Sequence, residues 1–276
     1  MGDGRYLARE GGEEDGPQSV LVIETLGAAA PPSRRRRRAK PAAPGVEPSQ
    51  LPLARVTAVR AFEPFDSAEE AARWLDGALE SDDSVDSLLA EGIGLLNRAL
   101  HAHAAASGDP HVHELSPGRA TAARIGYGSG EEVAVGAFAA AKEIDVRASG
   151  ASKRQRRVEE LRPQERVAAV LGGRERVDAC EPLLLRARAD LDAGRTREAA
   201  LQLRVGLEAL LVELRGALTD PDHEEDMAEL QARKREVGDA ANIALKGDLD
   251  QEHLSNVTEL LATCERVLRR RRILRG

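Results

Sequence analysis

The sequence predicts an α+β N-terminal domain, with a small mostly antiparallel sheet plus two helices, followed by an all-α helical-bundle domain. Three observations carry this prediction. Four segments within the last third, roughly 178–272, place apolar residues at alternating three- and four-residue steps, which is typical of helices that pack on helices. Short β-branched runs occur before residue 150. A polar, basic, Gly-containing stretch at about 149–157 has the composition of a linker, so we expect domains at 1–150 and 158–276.

Three strands, and a short segment that pairs with the first of them, are predicted in the N-terminal domain. Ser19–Leu26 is a short apolar, β-branched run, and Tyr6–Arg9 is expected to pair with it as a hairpin. Arg55–Phe62 alternates as a second strand, and Thr121–Tyr127 has the pattern of a third. Val133–Val146 combines strand-like alternation with a helix-like alanine run; we favour a hairpin and leave a helix open.

Two helices complete this domain. Asp66 or Ser67 suits the N-cap of the first, which is expected to run to about Glu80. The second begins near Asp83 and continues to about Ala106. In both, the apolar residues at helical spacing are expected to face inward.

The segment at about 30–52 is expected to be a disordered loop rich in Pro and Arg. It contains six of the 13 prolines and five consecutive arginines, Arg34–Arg38. Proline density and like-charge repulsion both oppose a packed core.

The helical bundle is expected to begin with a short helix whose first turn holds Pro163 and which ends at Gly172-Gly173. Pro182 should start or kink the helix that follows. From there on, inward stripes of small and branched aliphatic residues continue the pattern. Their members are Leu184, Ala187 and Leu191, then Ala200, Leu203, Leu207, Leu210, Leu214 and Ala217, then Met227, Leu230, Val237, Ala241 and Ala244, and finally Leu254, Val257, Leu261, Cys264 and Leu268.

Charge and cysteine usage limit the classes of function. The net charge of −7 resides in residues 1–150, which hold 16 Lys and Arg against 23 Asp and Glu. An acidic balance with 2% aromatic residues argues against a dedicated nucleic-acid-binding surface. Cys180 and Cys264 fall in helical segments and are expected to be core thiols. No apolar run approaches the roughly 20 residues of a membrane span, so we expect a cytoplasmic protein without membrane contact.

One helical hairpin resembles known families. Ala189–Arg195, Glu198–Ala200 and Gly206–Leu211 are similar to the first hairpin of HEPN four-helix bundles and to a single tetratricopeptide hairpin. The shared features are a Gly turn, small alanines and a leucine ridge. Tetratricopeptide units normally carry aromatic residues here, and this hairpin has none. Taken whole, the chain also resembles proteins of GC-rich actinobacteria, and that resemblance implies no activity.

Many HEPN proteins are ribonucleases, with an Arg followed four to six residues later by a His in a late helix. No such pair follows residue 178, so the resemblance implies only a noncatalytic bundle. Arg98 and His103 have this spacing in the N-terminal domain, but chance alone predicts such matches, and we name no catalytic residue. Asp109, His111 and His113 are minor candidates for metal ligation. We expect a polar loop there, with no metal and no cofactor.

Gly126, Gly128 and Gly130 have some of the spacing of a phosphate-binding loop. The dinucleotide-binding motif would need a further glycine where Glu131 or Val133 stands. We therefore expect a hairpin turn whose glycines adopt positive φ.

Basic clusters are the polar feature that recurs. Guanidinium groups suit phosphate, so nucleic acid or another polyanion is a candidate partner. The residues assigned to this interaction are Arg34, Arg35, Arg36, Arg37, Arg38, Lys153, Arg154, Arg156 and Arg157. A further cluster, Arg269–Arg272, ends the last helix, where it faces the helix dipole favourably.

Lys234 stands on the apolar stripe between Leu230 and Val237. A charge there indicates that this helix is partly exposed, or that Lys234 meets an acidic group across an interface. We therefore expect a nonenzymatic protein-interaction or self-association module. The alternative is a nucleic-acid- or polyanion-associated protein that uses the arginines. A metal-dependent or ribonuclease-like enzyme at 98–113 is the most distant alternative.

Overall fold

The structure is a computed structural model. It describes residues 2–9, 19–26, 53–60, 64–144, 146, 164–216 and 220–275. These residues belong to two compact units, 1–151 and 152–276. An antiparallel sheet with helices forms the first and a helical region forms the second, so the predicted fold class is confirmed. The predicted loop at 30–52 and linker at 149–157 lie outside the described residues, and the domain limits stay a prediction.

A three-stranded antiparallel sheet forms the centre of the first unit. Its strands are β1 (Gly4–Ala8), β2 (Ser19–Leu26) and β3 (Leu53–Arg60), in the order β1-β2-β3. The expected pairing of the first two is confirmed, with Tyr6 opposite Leu21. β3 begins two residues earlier than predicted.

The two predicted helices are α1 (Ala68–Ala78) and α2 (Asp82–Ser107). Ser67, one of the two candidate caps, is the N-cap of α1, and its hydroxyl accepts the backbone N–H of Glu70 at 3.1 Å. α2 covers one face of the sheet and buries the apolar side of both elements. This cluster contains Leu21 and Ile23 of β2 with Leu95 and Leu96 of α2.

A second sheet pairs β4 (Ala123–Tyr127) with β5 (Ala140–Ile144), antiparallel. Between them lies the short helix α3 (Gly130–Ala134). The hairpin favoured for Val133–Val146 forms only in part: Val133 and Ala134 belong to α3, and Ala140–Ile144 is a single strand whose partner, β4, precedes the region. In β5 only the two end residues, Ala140 and Ile144, are half-buried, and the three residues between them are exposed.

The expectation that Gly126, Gly128 and Gly130 form a hairpin turn is wrong. They connect a strand to a helix, and of the three only Gly130 has a positive φ, of 40°. Gly126 lies within β4, where a Cβ atom would stand 2.4 Å from the carbonyl oxygen of Ala140. The reason for this glycine is the close approach of the paired strand, and not a left-handed backbone conformation.

The second unit contains five described helices. They are α4 (164–171), α5 (Cys180–Asp192), α6 (Thr196–Glu213), α7 (Pro221–Ala244) and α8 (Gln251–Arg275). α6 packs against α5, α7 and α8. Pro182 lies in the first turn of α5, where no intrahelical N–H bond is lost, so it starts the helix rather than kinking it. Within the described residues, no helix combines the length and apolarity that a membrane crossing requires.

The predicted inward stripes form one continuous core, of which Ala241 and Leu254 are not part; Leu254 is only half-buried. Its fully buried leucines are Leu184, Leu203, Leu207, Leu210, Leu214, Leu230, Leu260 and Leu261. Leu191 and Met227 lie at the edge of this core and are half-buried. At Gly206 a Cβ atom would stand 2.9 Å from Cδ2 of Leu184, so the glycine lets α5 and α6 pack closely. Ala217 lies outside the described residues.

Leu207→Ala is expected to lower the free energy of unfolding by about 2–5 kcal/mol, because the side chain is 1% exposed and its loss leaves a cavity. Leu207→Asp should be more severe, because it buries an unpaired charge. Val205→Ala, on the exposed side of the same helix, is the matched control and should change the value by less than about 0.5 kcal/mol. Urea titration followed by circular dichroism compares them; equal losses would contradict the assigned core.

Candidate functional site

α6 exposes apolar side chains on the side away from its core stripe. Val205 is 55% exposed and Val212 is 75% exposed. The two residues are seven positions apart, so they share one side of the helix at a separation of about 10 Å along its axis. A helix with a single core stripe normally carries polar residues there. The exposed valines therefore mark this side of α6 as a candidate contact surface.

A shallow groove runs between α6 and α7 beside these valines; we call it the α6–α7 groove. Val205, Ala209 and Val212 line it from α6, and Gln231, Lys234 and Gly238 line it from α7. Its floor is formed by core side chains such as Leu207 and Val237. Its lining mixes apolar and charged side chains, and Lys234 and Glu208 face each other across it.

Lys234 lies on one rim of the groove and is exposed. Its Nζ lies 3.7 Å from a carboxylate oxygen of Glu208 on α6, and both side chains are about half exposed. The acidic group that Lys234 meets therefore belongs to its own chain. Such a solvated pair contributes little to stability and leaves both groups accessible.

Glu213 ties the end of α6 to the beginning of α5. Its two carboxylate oxygens accept the backbone N–H groups of Ala179 at 3.0 Å and of Cys180 at 2.9 Å. Burial acts to raise the pKa of Glu213, but the hydrogen bonds from Cys180 and Ala179 outweigh it and lower the pKa. A carboxylate from one helix thereby caps the N-terminus of another.

Neither cysteine is a candidate nucleophile. Burial, followed by the adjacent Glu213 carboxylate, raises the pKa of the Cys180 thiol to about 12. Burial likewise raises the pKa of Cys264 to about 12. A nucleophilic cysteine needs a substantial thiolate fraction near neutral pH. Both are free and buried, as expected of core thiols.

A second polar cluster joins α7 to α8. Asp226 is 6% exposed, and its carboxylate accepts hydrogen bonds from Arg266 at 2.8 Å and 3.0 Å and from Arg270 at 2.6 Å. Arg270 also lies 3.4 Å from Asp222 and 3.6 Å from Asp220. Burial acts to raise the pKa of Asp226, but the two arginines outweigh it and lower the pKa. This cluster sets the register between the two helices.

His223 lies three residues before Asp226 on α7. It is 2% exposed, and neither ring nitrogen has a hydrogen-bond partner among the described residues. Its backbone N–H donates to the side chain of Asp220 at 2.9 Å, which caps α7. A buried polar group without a partner costs free energy. The imidazole therefore weakens the bundle relative to an apolar side chain of similar size.

The minor metal candidates do not come together as a ligand set. His111 and His113 are exposed in the loop after α2. The carboxylate of Asp109 accepts a hydrogen bond from the backbone N–H of His111 at 2.9 Å and so stabilises the turn. In the part of the chain that the structure describes, no three His, Cys, Asp or Glu residues are grouped as metal ligands. The geometry gives no support to a metal-dependent reaction there.

The basic clusters differ in what the structure describes of them. Arg34–Arg38 and Lys153–Arg157, which hold all the residues assigned to polyanion binding, lie outside the described residues. The C-terminal cluster is described, and carboxylates of the same bundle engage three of its members. These pairs are Arg270–Asp226, Arg271–Asp178 and Arg272–Glu181. A polyanion would have to compete with them for the guanidinium groups.

Sequence reasoning missed both the exposed valines and the buried His223. The signal for the valines was a second apolar stripe on α6, opposite the leucine ridge. The signal for His223 was its spacing, because it and Asp226 occupy the inward stripe that continues at Leu230. Inward polar residues at helical spacing predict a buried polar cluster, although they do not say which partners it has.

The bundle is expected to lose stability in acid, because Asp226 and Glu181 have lowered pKa values in the folded chain. For Glu181, hydrogen bonds from Arg166 outweigh burial, which acts to raise its pKa. Each carboxylate contributes stability that is present above its unfolded pKa of about 4 and is lost as the pH falls through the folded pKa. The Asp226→Asn variant should be less stable than the unchanged chain at pH 7. Its free energy of unfolding should also fall less than that of the unchanged chain between about pH 4 and 2. Thermal melts across this range measure the slope, and an unchanged slope would count against the pairing.

His223→Leu is expected to raise the free energy of unfolding by about 1 kcal/mol, because it replaces an unpartnered buried ring with an apolar side chain. His253→Leu is the matched control. The ring nitrogen of His253 lies 2.6 Å from the carboxylate of Asp250, so its loss should lower stability or leave it unchanged. Denaturant titration of both variants measures the change in the free energy of unfolding. Destabilisation by His223→Leu would show that the ring has a bound partner.

Comparison with known proteins identifies no family for this chain. No family model, no curated protein and no solved structure matches the chain. The HEPN-like resemblance of the 189–211 hairpin stays a prediction. Functional inference rests on the geometry of the described residues.

Proposed function

We propose that the chain is a nonenzymatic protein-interaction or self-association module that acts in the cytoplasm through its C-terminal helical region. The observation that carries the proposal is the pair Val205 and Val212, exposed on the outer side of α6. Exposed apolar side chains aligned along one side of a helix, beside a groove between two helices, are usual features of a helix-binding surface. Two free, buried thiols are consistent with a reducing compartment.

Three carboxylates of this unit support a structural rather than a catalytic use. Glu181 and Asp226 are both held by arginines of the same bundle. Glu213 accepts two backbone N–H groups. Groups used in this way are already engaged, whereas general acids and bases must face a substrate.

A nucleic-acid- or polyanion-associated role is the second candidate, and the run Arg34–Arg38 is the observation that favours it. Its support is weaker in the described region, where the C-terminal arginines are engaged by carboxylates. If this role is correct, binding should show a strong dependence on salt and should be similar for all nucleic-acid sequences.

Val212→Asp in the full chain is expected to abolish association with itself or with captured proteins, because a charge at the centre of an interface costs several kcal/mol. Leu171→Asp is the matched control, because Leu171 is 84% exposed and lies outside the groove. Sedimentation over a concentration series and affinity capture, each with and without nuclease, measure the effect.

Loss of association with Val212→Asp but not with Leu171→Asp supports the module. Association that disappears on nuclease treatment would instead support the second candidate. A chain that is monomeric at high concentration and captures nothing with either treatment would contradict the proposal. Circular dichroism establishes that both variants remain folded.

A further inference from the structure

The turn that follows α2 contains an exposed Asp–Pro bond. Gly108 ends the helix with a positive φ of 64°, and the backbone N–H of Asp109 donates to the carbonyl oxygen of Ala104 at 3.2 Å. Pro110 comes next and cannot continue the helix. Asp109, Pro110 and His111 are all exposed. The peptide bond between Asp109 and Pro110 therefore lies at the surface.

Asp109 is hydrogen-bonded through its side chain as well as its backbone. Its carboxylate accepts a hydrogen bond from the backbone N–H of His111 at 2.9 Å, which holds the carboxylate against the turn that contains Pro110. Attack of a carboxylate oxygen on the carbonyl carbon of the same residue closes a five-membered ring. A nucleophile that is already held close to the carbon it attacks avoids much of the entropic cost of the reaction.

The residues after Asp109 supply a leaving group and a proton donor. The nitrogen of Pro110 has no hydrogen and belongs to a tertiary amide, so it leaves as a secondary amine once it receives a proton. His111 follows directly and is exposed. Imidazole is the side chain best suited to donate a proton near neutral pH. Nucleophile, leaving group and proton donor thus occupy three consecutive positions of one turn.

The chain contains a second Asp–Pro bond, Asp220–Pro221, whose surroundings differ. The carboxylate of Asp220 caps α7 by accepting the backbone N–H of His223 at 2.9 Å, and it also lies 3.6 Å from the guanidinium group of Arg270. The ring of His223 is 2% exposed, so it cannot exchange a proton freely with water. A carboxylate engaged by a cation is a weaker nucleophile. This second bond is therefore an internal reference for the ordinary acid lability of Asp–Pro.

We propose that the chain cleaves itself between Asp109 and Pro110. A carboxylate oxygen of Asp109 forms a bond to the carbonyl carbon of the same residue, which gives a cyclic anhydride. The bond from that carbon to the nitrogen of Pro110 breaks, and its electron pair stays on the nitrogen, which takes a proton from the imidazolium of His111. Water then opens the anhydride and leaves two carboxyl groups on Asp109. The products are the fragments 1–109 and 110–276.

This step is a single turnover on the chain itself, and it consumes only water. It is separate from the proposed interaction function, whose surface on α6 stays in the fragment 110–276. The amide of Asn97 on α2 donates to the carbonyl oxygen of Leu115 and accepts its N–H, each at 2.9 Å. These two bonds hold the far side of the turn on the helix. We therefore expect the fragments to separate only on denaturation.

The test incubates the purified full chain between about pH 4 and 8 and follows it by denaturing electrophoresis and intact mass spectrometry. Cleavage should be first-order and independent of protein concentration, because the nucleophile belongs to the same residue. Its rate should rise as the pH falls and an imidazole gains its proton, and should fall again in stronger acid, which protonates the carboxylate. The titratable and charged groups of the turn, of the last two turns of α2 and of the short helix after the turn are His101, His103, Asp109, His111, His113, Glu114 and Arg119.

Four variants assign the reaction to its groups. Asp109→Asn keeps an acceptor for the backbone N–H of His111 but removes the carboxylate, and it should stop the cleavage. Pro110→Ala should slow it at least about 10-fold, because the nitrogen then belongs to a secondary amide. His111→Gln should also slow it at least about 10-fold and weaken the dependence of the rate on pH above its optimum. His113→Gln, an exposed imidazole of the same turn, is the matched control and should change the rate less than about twofold.

Cleavage at Asp109–Pro110 that is at least about 10-fold faster than at Asp220–Pro221, and that Asp109→Asn stops, supports the proposal. Equal rates at the two bonds, or a preference that persists unchanged in concentrated urea, would show ordinary acid lability and overturn it. A chain that stays intact at every pH would overturn it as well. Cleavage that protease inhibitors prevent, or whose rate depends on concentration, would belong to a contaminating protease and would also overturn it.

Discussion

The burial of the leucine ridge of α6 is the constraint on which the rest of the helical unit depends. α6 contacts α5, α7 and α8, and Leu203, Leu207 and Leu210 on one side of it are fully buried among them. Apolar burial of this extent is the main favourable term in folding. Gly206 allows α5 to pack closely on α6, because a Cβ atom there would overlap Leu184. Since the ridge faces inward, the opposite side of the helix must face outward.

Charged side chains specify how the packed helices are aligned. The carboxylate of Asp226 joins α7 to two arginines of α8, and Glu213 closes the start of α5. Desolvation offsets much of the attraction in such pairs, so their main effect is on specificity. The same pairs explain why a basic run at the end of α8 is poor evidence for polyanion binding. Three of its four guanidinium groups already pair with carboxylates within the bundle.

The candidate contact surface is the side of α6 that this packing leaves exposed. Val205 and Val212 are exposed because one helix carries two apolar stripes and the described neighbours cover only one of them. Around them, basic and acidic side chains both line the α6–α7 groove, and Lys234 pairs with Glu208 across it. The proposed interaction function therefore rests on the exposed valines.

Local patterns in the sequence determined the elements and the core. The three- and four-residue spacing predicted α6 and α8, and the β-branched run predicted β2, because periodicity and propensity act between residues close in the chain. Tertiary structure decided what joins residues far apart. Arg270 meets Asp226 across 44 positions, and His223 becomes a buried ring without a partner. Packing depends on how the surfaces of different segments fit together, and no pattern within one segment contains that information.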